Sequence, residues 1–211
     1  MTQKLLFILL VAANFFWTGC GSQKTVIKKY YTLEQTEKMN TPFIKDSVLF
    51  NARCEVEDVT VYPAYATRKI VFRDDSHQIR YFENHEWAVN PKEILTPIII
   101  DFFYSKNLFL KVSERFWKHI PQYRIQTTIY KIEVAPAEDN KRFKAHLELK
   151  FELTDAQSGE TIISHFANRN AQLENKNINL MAASVSDLFY EELNNFSLKI
   201  KHELSNREAG D

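Results

Sequence analysis

The clearest pattern in the chain is a strict alternation of apolar and polar residues between positions 143 and 153. The odd positions are apolar (Phe143, Ala145, Leu147, Leu149, Phe151 and Leu153), and Lys, His or Glu occupies each even position. Successive side chains of a strand point to opposite faces, so this pattern predicts a strand with one face on a core and the other in water. A turn at residues 155–159 follows, and residues 160–173 are predicted to return as the antiparallel partner.

Two other segments have apolar residues at the three- and four-residue spacing of helices. The first helix is predicted over residues 91–106, because Asn90 can cap it and Pro91 suits its first position. Pro97 lies inside this segment and should either kink the helix or move its start to Thr96. The second helix is predicted from its stripe of Ile178, Met181, Ala182, Val185, Leu188, Phe189, Leu193, Phe196 and Ile200. It spans about seven turns, and residues 205–211 follow as a polar tail.

The remaining aromatic and β-branched segments predict further strands. They cover residues 29–33, 47–62 with a bulge, a hairpin of 68–73 with 78–83, 108–112 and 123–134, and residues 34–46 are predicted to be a loop. The order of strands, helix, strands and helix predicts an α+β fold with a mainly antiparallel, twisted sheet and two helices packed on one face. We expect a single domain over residues 29–204.

The first twenty residues have the features of a bacterial lipoprotein signal. Lys4 precedes an apolar run at residues 5–17 that is too short to span a membrane stably, and Thr18-Gly19 leads directly into Cys20. We therefore predict a signal peptide over residues 1–19, lipidation of Cys20 and a tether over residues 20–28. Trp17 stands where leucine is usual in this motif, and an ordinary cleaved signal or an uncleaved anchor is the alternative.

Charge and glycine content exclude several classes of function. Removal of residues 1–19 loses one basic residue and leaves a net charge of −1, which is not the basic excess of a nucleic-acid-binding protein. Gly159 is the single glycine of the predicted domain. Walker loops, dinucleotide-binding loops and nucleophile elbows each need several glycines, so ATP hydrolysis, dinucleotide chemistry and a standard serine hydrolase are excluded as local motifs.

The titratable residues form no catalytic pattern. His146 and His165 lie on neighbouring predicted strands, but the turn places His165 opposite Leu149, and we interpret both histidines as exposed residues rather than metal ligands. Cys54 has no partner once Cys20 carries lipid, so it is predicted to be a small core residue. We predict no catalytic residue, no metal site and no cofactor other than the covalent lipid.

Several short motifs, in their order and spacing, resemble the auxiliary lipoproteins of ABC-type transport systems, of which PqiC-like proteins are a branch. They are Lys29-Tyr30-Tyr31-Thr32-Leu33, Arg68-Lys69-Ile70-Val71-Phe72-Arg73, Arg80-Tyr81-Phe82, Glu86-Trp87-Ala88 with Pro91, and Tyr123-Arg124-Ile125. The resemblance runs from Cys20 to about Leu204. It implies a lipid-anchored periplasmic domain that works with an MCE-domain substrate-binding protein and ABC transporter subunits to move lipids or other hydrophobic compounds.

The resemblance also implies a location, usually the outer membrane. Gly21-Ser22 lacks the aspartate that often retains lipoproteins at the inner membrane, which favours the outer membrane. Three other hypotheses stay open: a structural partner of an outer-membrane assembly machine, an enzyme that uses scattered acidic residues, and a homo-oligomer.

The hairpin over residues 68–83 is the predicted docking surface for a partner, with Arg73, Arg80 and Tyr81 as its contacting side chains. Trp87 has two interpretations. It packs across the start of the first helix, which we favour because large aromatic residues dominate core energetics, or it forms part of the partner surface.

Overall fold

The computed structural model describes residues 27–34, 48–74, 77–137, 142–175 and 177–210. The predicted signal peptide, Cys20, the tether up to residue 26 and nearly all of the predicted loop over residues 34–46 lie outside the described residues. In the described part of the chain, no helix is long and apolar enough to span a membrane.

The described residues form nine strands and two helices. The strands are β1 (Lys29–Tyr31), β2 (Phe50–Val56), β3 (Thr60–Val61), β4 (Lys69–Arg73), β5 (Ile79–Trp87), β6 (Phe109–Ser113), β7 (Tyr123–Pro136), β8 (Phe143–Asp155) and β9 (Thr161–Leu173). The helices are α1 (Pro91–Ser105) and α2 (Ile178–Gly210). The predicted α+β class with two helices is confirmed.

The sheet is mixed rather than purely antiparallel. β4 with β5, β7 with β8 and β8 with β9 are antiparallel, whereas β1 with β5, β2 with β6, and β2, β3 and β4 with β7 are parallel. The three antiparallel pairs are neighbours in sequence, and their short turns reveal the pairing. The parallel pairs join segments that are distant in sequence, where no local pattern specifies the neighbour.

Strand β7 lies at the centre of the sheet. It pairs with β8 along its length, and its other side pairs in turn with β2, β3 and β4. Beyond those strands, β6 extends the sheet next to β2, and β5 with β1 extends it next to β4. The outer strands β1 and β6 therefore lie on the same side of β7, opposite β8 and β9.

A bulge in β7 exchanges the two faces of the strand. Ile129 pairs with Leu149 and Lys131 pairs with Glu148, so Tyr130 is an extra residue without a partner in the register. Before the bulge the odd positions face the helices, and after it the even positions do. An extra residue of this kind changes which side chains face the core. As a result, Glu133 lies on the face of the sheet that the helices leave uncovered.

Helix α1 begins where Asn90 and Pro91 predict. The Asn90 side chain accepts a hydrogen bond from the Lys92 amide at 3.1 Å, so the alternative start at Thr96 is wrong. The helix is assigned without a break through Pro97, which lies on its exposed side. Thr96 is buried instead: its hydroxyl accepts from the Val59 amide and donates to the Lys92 carbonyl, both at 3.1 Å. The hydrogen bond from Val59 fixes the segment between β2 and β3. The sequence predicted these two strands as one strand over residues 47–62.

Helix α2 covers β8 and β9 with its apolar stripe. All nine apolar residues predicted for this stripe are buried, as are the apolar residues of β8 from Ala145 to Leu153. The Phe151 ring on β8 stacks on the Phe196 ring with centroids 5.3 Å apart, and Phe103 of α1 contacts Phe196 edge-on. The helix continues to Gly210, so residues 205–210 of the predicted polar tail are helical.

Trp87 ends β5 and is 1% exposed. Its amide donates to the Arg68 carbonyl at 2.7 Å, and the Arg68 Nε donates to the Trp87 carbonyl at 3.2 Å. The burial fits the structural role favoured by the sequence and leaves the Trp87 side chain no free surface for a partner.

Replacement of Trp87 by alanine should reduce the free energy of unfolding by about 3–5 kcal/mol, because it removes a large buried aromatic side chain and leaves a cavity. Trp117→Ala is the matched control, since this tryptophan is 85% exposed. We expect it to change stability by less than about 0.5 kcal/mol. Urea unfolding followed by circular dichroism measures both, and equal effects of the two variants would contradict the buried position of Trp87.

Candidate functional site

The predicted docking hairpin is formed by β4 and β5. Four side chains were considered for partner contact, three on the hairpin and Trp87 as an alternative, and two of the four are exposed. Arg80 is exposed and donates to Asp74 Oδ1 at 2.6 Å. Tyr81 is 41% exposed, and its hydroxyl donates to the Ala64 carbonyl at 3.3 Å. Trp87 lies in the core. Arg80 and Tyr81 are adjacent on β5 and point to opposite faces of the sheet, with Arg80 on the side of Phe72.

Arg73, the fourth assigned residue, belongs to an internal network around Glu133. The Glu133 side chain has no exposed surface, and its Oε1 accepts from Arg73 Nε at 2.7 Å. Its Oε2 accepts from the Tyr65 hydroxyl at 2.7 Å, and Arg73 Nη2 donates to that hydroxyl at 2.8 Å. His146 Nδ1 lies 3.2 Å from Glu133 Oε1. Arg73 thus serves mainly as the counter-ion of a buried carboxylate.

The network keeps Glu133 ionised. Burial alone would raise the pKa of this carboxyl group, but hydrogen bonds from His146, Arg73 and Tyr65 outweigh burial and lower the pKa to about 2. Burial and the bond to Glu133 raise the pKa of Tyr65, and the same carboxylate raises the pKa of Arg73. A general acid needs a raised pKa and access to substrate, and Glu133 has neither. We interpret the network as a structural link between β7, β4 and the segment that contains Tyr65.

Both histidines singled out by the sequence are in hydrogen-bonded clusters, so their predicted exposure is wrong. His146 lies in the Glu133 network. His165 pairs with Phe151 instead of Leu149, because the register shifts next to the turn between Leu153 and Thr154. Its ring is buried under α2. In the part of the chain that the structure describes, no three or more His, Cys, Asp or Glu residues are grouped to hold a metal ion.

His165 belongs to a second ionic cluster that joins β9 to α2. Its Nε2 lies 2.7 Å from Glu192 Oε2, and the other oxygen of Glu192 accepts from Arg169 Nη1. Arg169 Nη2 also donates to Glu191 Oε1 at 2.9 Å. His165 Nδ1 has no hydrogen-bond partner among the described residues. Since Glu192 is buried and paired on both oxygens, this cluster is a structural contact between the helix and the sheet.

Cys54 lies in β2 and is fully buried, which confirms the prediction of a core residue. Burial is the largest of the effects that raise the pKa of its thiol. A thiol reacts as the thiolate, so this environment disfavours a reactive role.

A row of aromatic side chains crosses the face of the sheet opposite the helices, and the sequence interpretation missed it. The ring centroid of Tyr130 lies 5.2 Å from that of Tyr62 and 6.2 Å from that of Phe166. Tyr62 and Phe166 are both exposed, Phe166 at 58%. Phe166 occupies a position of the predicted strand over residues 160–173 that points away from the core. An aromatic residue at such a position could have indicated an exposed aromatic surface. We call Tyr62, Tyr130, Phe166 and the nearby exposed Tyr81 the open-face aromatics.

Comparison with known protein families assigns this α+β fold to a class. Residues 31–193 match the family described as "ABC-type transport auxiliary lipoprotein component". The match covers well over half of the chain, which therefore belongs to this family of cell-envelope lipoproteins. The resemblance inferred from the sequence motifs is confirmed.

Solved structures show that the fold is shared at low sequence identity. A Xanthomonas campestris protein of the DUF330 family is 12% identical with a TM-score of 0.68, covering 86% of this chain and 98% of its own. An uncharacterized protein is 16% identical with a TM-score of 0.64, and the match covers 82% and 99% of the two chains. A hypothetical protein of Chlamydia trachomatis is 7% identical with a TM-score of 0.50, covering 72% and 96%. A search of curated protein sequences found no match.

The ionised state of Glu133 predicts a pH-dependent stability. Because its pKa is about 2 in the folded chain and higher in the unfolded chain, the carboxylate contributes stability above about pH 5, and this is lost as the pH falls toward 2. Glu133→Gln should therefore lower the free energy of unfolding by about 2–3 kcal/mol at pH 7.

The difference between Glu133→Gln and the wild type should shrink between pH 5 and pH 2, as measured by urea titrations at several pH values. Glu203→Gln is the control, because Glu203 forms a solvent-exposed pair with Arg207. That variant should differ from the wild type by less than about 1 kcal/mol at neutral pH. If Glu133→Gln lowered the free energy of unfolding by the same amount at every pH, the ionised Glu133 carboxylate would not be the source of the stability.

Proposed function

We propose that this protein is a non-catalytic auxiliary component of an MCE-type ABC transport system for lipids or other hydrophobic compounds. The observation that carries the proposal is the family match over residues 31–193. In this role the domain holds its partners near a membrane, and the transporter subunits supply ATP hydrolysis.

The polar clusters of the described residues support a role without catalysis. Glu133 and Glu192 are the buried carboxylates of the two networks, and each is bonded on both oxygens by its own neighbours. A catalytic carboxylate must instead reach the substrate. The arrangement therefore supports a scaffold.

The open-face aromatics are the proposed docking surface. Arg80 is not part of it, because it lies on the opposite face of β5, with its guanidinium 5.6 Å from the Phe72 ring centroid. Exposed aromatic and arginine side chains are enriched at protein interfaces, because they bury a large area and still donate hydrogen bonds. Tyr81 contributes from β5, and Phe166 contributes from β9. The proposed partner is the MCE-domain protein or a transporter subunit, and the hairpin assignment made from the sequence is thereby extended across the sheet.

Attachment to the membrane is proposed to come from lipid on Cys20, with the domain on the periplasmic side. Several acyl chains give stable anchoring, whereas one chain gives only marginal binding. The absence of aspartate in Gly21-Ser22 favours the outer membrane.

A pull-down from native membranes tests the proposal. Tagged wild-type protein should recover an MCE-domain protein or ABC transporter subunits. The double variant Tyr81→Ala/Phe166→Ala should recover about tenfold less, which corresponds to about 1.4 kcal/mol of binding free energy. Leu198→Ala is the control, because Leu198 is equally exposed but lies on α2.

Mass measurement of the mature N-terminus, run on the same preparation, checks that Cys20 carries acyl chains. If only outer-membrane assembly factors were recovered, the result would contradict the transport role and support a role in outer-membrane assembly. Equal recovery with the double variant would contradict the docking surface and leave the transport role in place.

A further inference from the structure

The loop between β6 and β7 has the most exposed aromatic side chain of the described residues. Trp117 is 85% exposed, and Ile120 in the same loop is 78% exposed. Arg115 lies over the Trp117 ring at 5.3 Å from its centroid, and Lys111 lies over the Phe116 ring at 5.8 Å. Lys118 adds a third cation, and Glu114 is the one carboxylate among residues 114–122. In a chain with a net charge near zero, this loop combines a projecting apolar tip with a local excess of positive charge.

Hydrogen bonds hold the base of the loop. The Phe116 amide donates to Glu55 Oε2 at 3.3 Å, close to the end of β6. At the other end, the Gln122 amide donates to the Arg53 carbonyl at 3.0 Å, and Gln122 Oε1 accepts from the Arg53 amide at 2.7 Å. Because β2 fixes both ends, Trp117 projects from a defined loop instead of folding back onto the core.

The loop and the N-terminal tether lie along the same lateral edge of the sheet, at different ends of β7. β6 precedes the loop and lies beside β2, which pairs with the first residues of β7. β1 follows the tether and lies beyond β4 and β5, and β4 pairs near the end of β7. Cys20 is seven residues before Ile27, so an extended chain places it within about 25 Å of that residue. If Cys20 carries acyl chains, a bilayer must lie within that distance of Ile27, two residues before β1.

This side of the domain also carries exposed apolar residues near the tether. Ile27 and Tyr30 are both exposed, and the Arg68 guanidinium lies 5.4 Å from the Tyr30 ring centroid. The combination of aromatic, aliphatic and basic side chains therefore occurs at both outer strands. Tryptophan and tyrosine favour the boundary between acyl chains and headgroups, and lysine and arginine extend toward phosphate.

We propose that the β6–β7 loop is a second membrane contact, in which Trp117 and Ile120 enter the interfacial layer of a phospholipid bilayer. Arg115 and Lys118 meet lipid phosphate oxygens, and the side of the domain that carries β1 and β6 faces the membrane. This inference rests on the lipid anchor of the proposed function. The open-face aromatics lie on a face of the sheet rather than at these outer strands, so a partner can bind them while the loop contacts lipid.

Tryptophan fluorescence of the acylated protein in vesicles tests this contact. The vesicles contain phosphatidylethanolamine and phosphatidylglycerol, with or without brominated acyl chains. The spectrum of Trp117→Phe is subtracted from that of the wild type, which isolates Trp117 while the buried Trp87 stays unchanged in both. We expect blue-shifted Trp117 emission, loss of intensity with brominated lipid, and protection from aqueous acrylamide.

Each other outcome overturns the proposal. Emission typical of an exposed tryptophan, quenched by acrylamide but not by brominated lipid, shows that the loop faces water. A blue shift without quenching by brominated lipid shows that Trp117 instead contacts protein, such as a second copy of the chain.

Failure of the anchor is distinguishable from failure of the loop contact. Mass measurement reports the acyl chains on Cys20, and flotation reports attachment to vesicles. An acylated protein that floats with vesicles but has an unquenched Trp117 overturns the loop proposal and leaves the anchor intact. A protein without acyl chains whose Trp117 is quenched by brominated lipid supports the loop contact and overturns the anchor.

Discussion

The pairing of β7 with four other strands is the constraint on which the rest of the domain depends. β8 pairs with its whole length on one side, and β2, β3 and β4 share the other side. These three strands come from an earlier part of the chain, so their parallel pairing closes long loops before it contributes stability. Once β7 is in place, β6 and β1 both lie on the side of β7 opposite β8 and β9. Helix α2 covers β8 and β9.

The bulge at Tyr130 determines what each face of the sheet can do. If β7 paired regularly through Tyr130, without the bulge, Glu133 would point into the apolar layer under the helices. With it, Glu133 meets Arg73, Tyr65 and His146 on the opposite face, where three donors offset the cost of burying a carboxylate. Tyr130 lies between Tyr62 and Phe166 on that same face, so the buried ionic network and the exposed aromatic row share one side of the sheet.

Local periodicity predicted the strands and helices, but it could not predict contacts between segments that are distant in sequence. The alternation from Phe143 to Leu153 and the apolar stripe of α2 each report burial within one element, and both were confirmed. His165 was placed two positions away from its partner because the register shift beside the turn leaves no local signal. The sequence predicted the hairpin of β4 and β5. It could not predict the burial of Trp87 or the ion pair of Arg73 with Glu133, because these depend on strands far away in sequence. The exposure of Trp117 depends likewise on how β2 fixes its loop.

We propose that the domain is a non-catalytic scaffold held at a membrane, with its aromatic face available to a transport partner. Photocrosslinking in living cells tests that claim most directly, with a photoreactive phenylalanine analogue at position 81 and, for comparison, at position 198. The account predicts a crosslink from position 81 to an MCE-domain protein or an ABC transporter subunit, and none to these proteins from position 198. Crosslinks from position 81 to outer-membrane assembly factors alone, or the same transport partners from both positions, would contradict it.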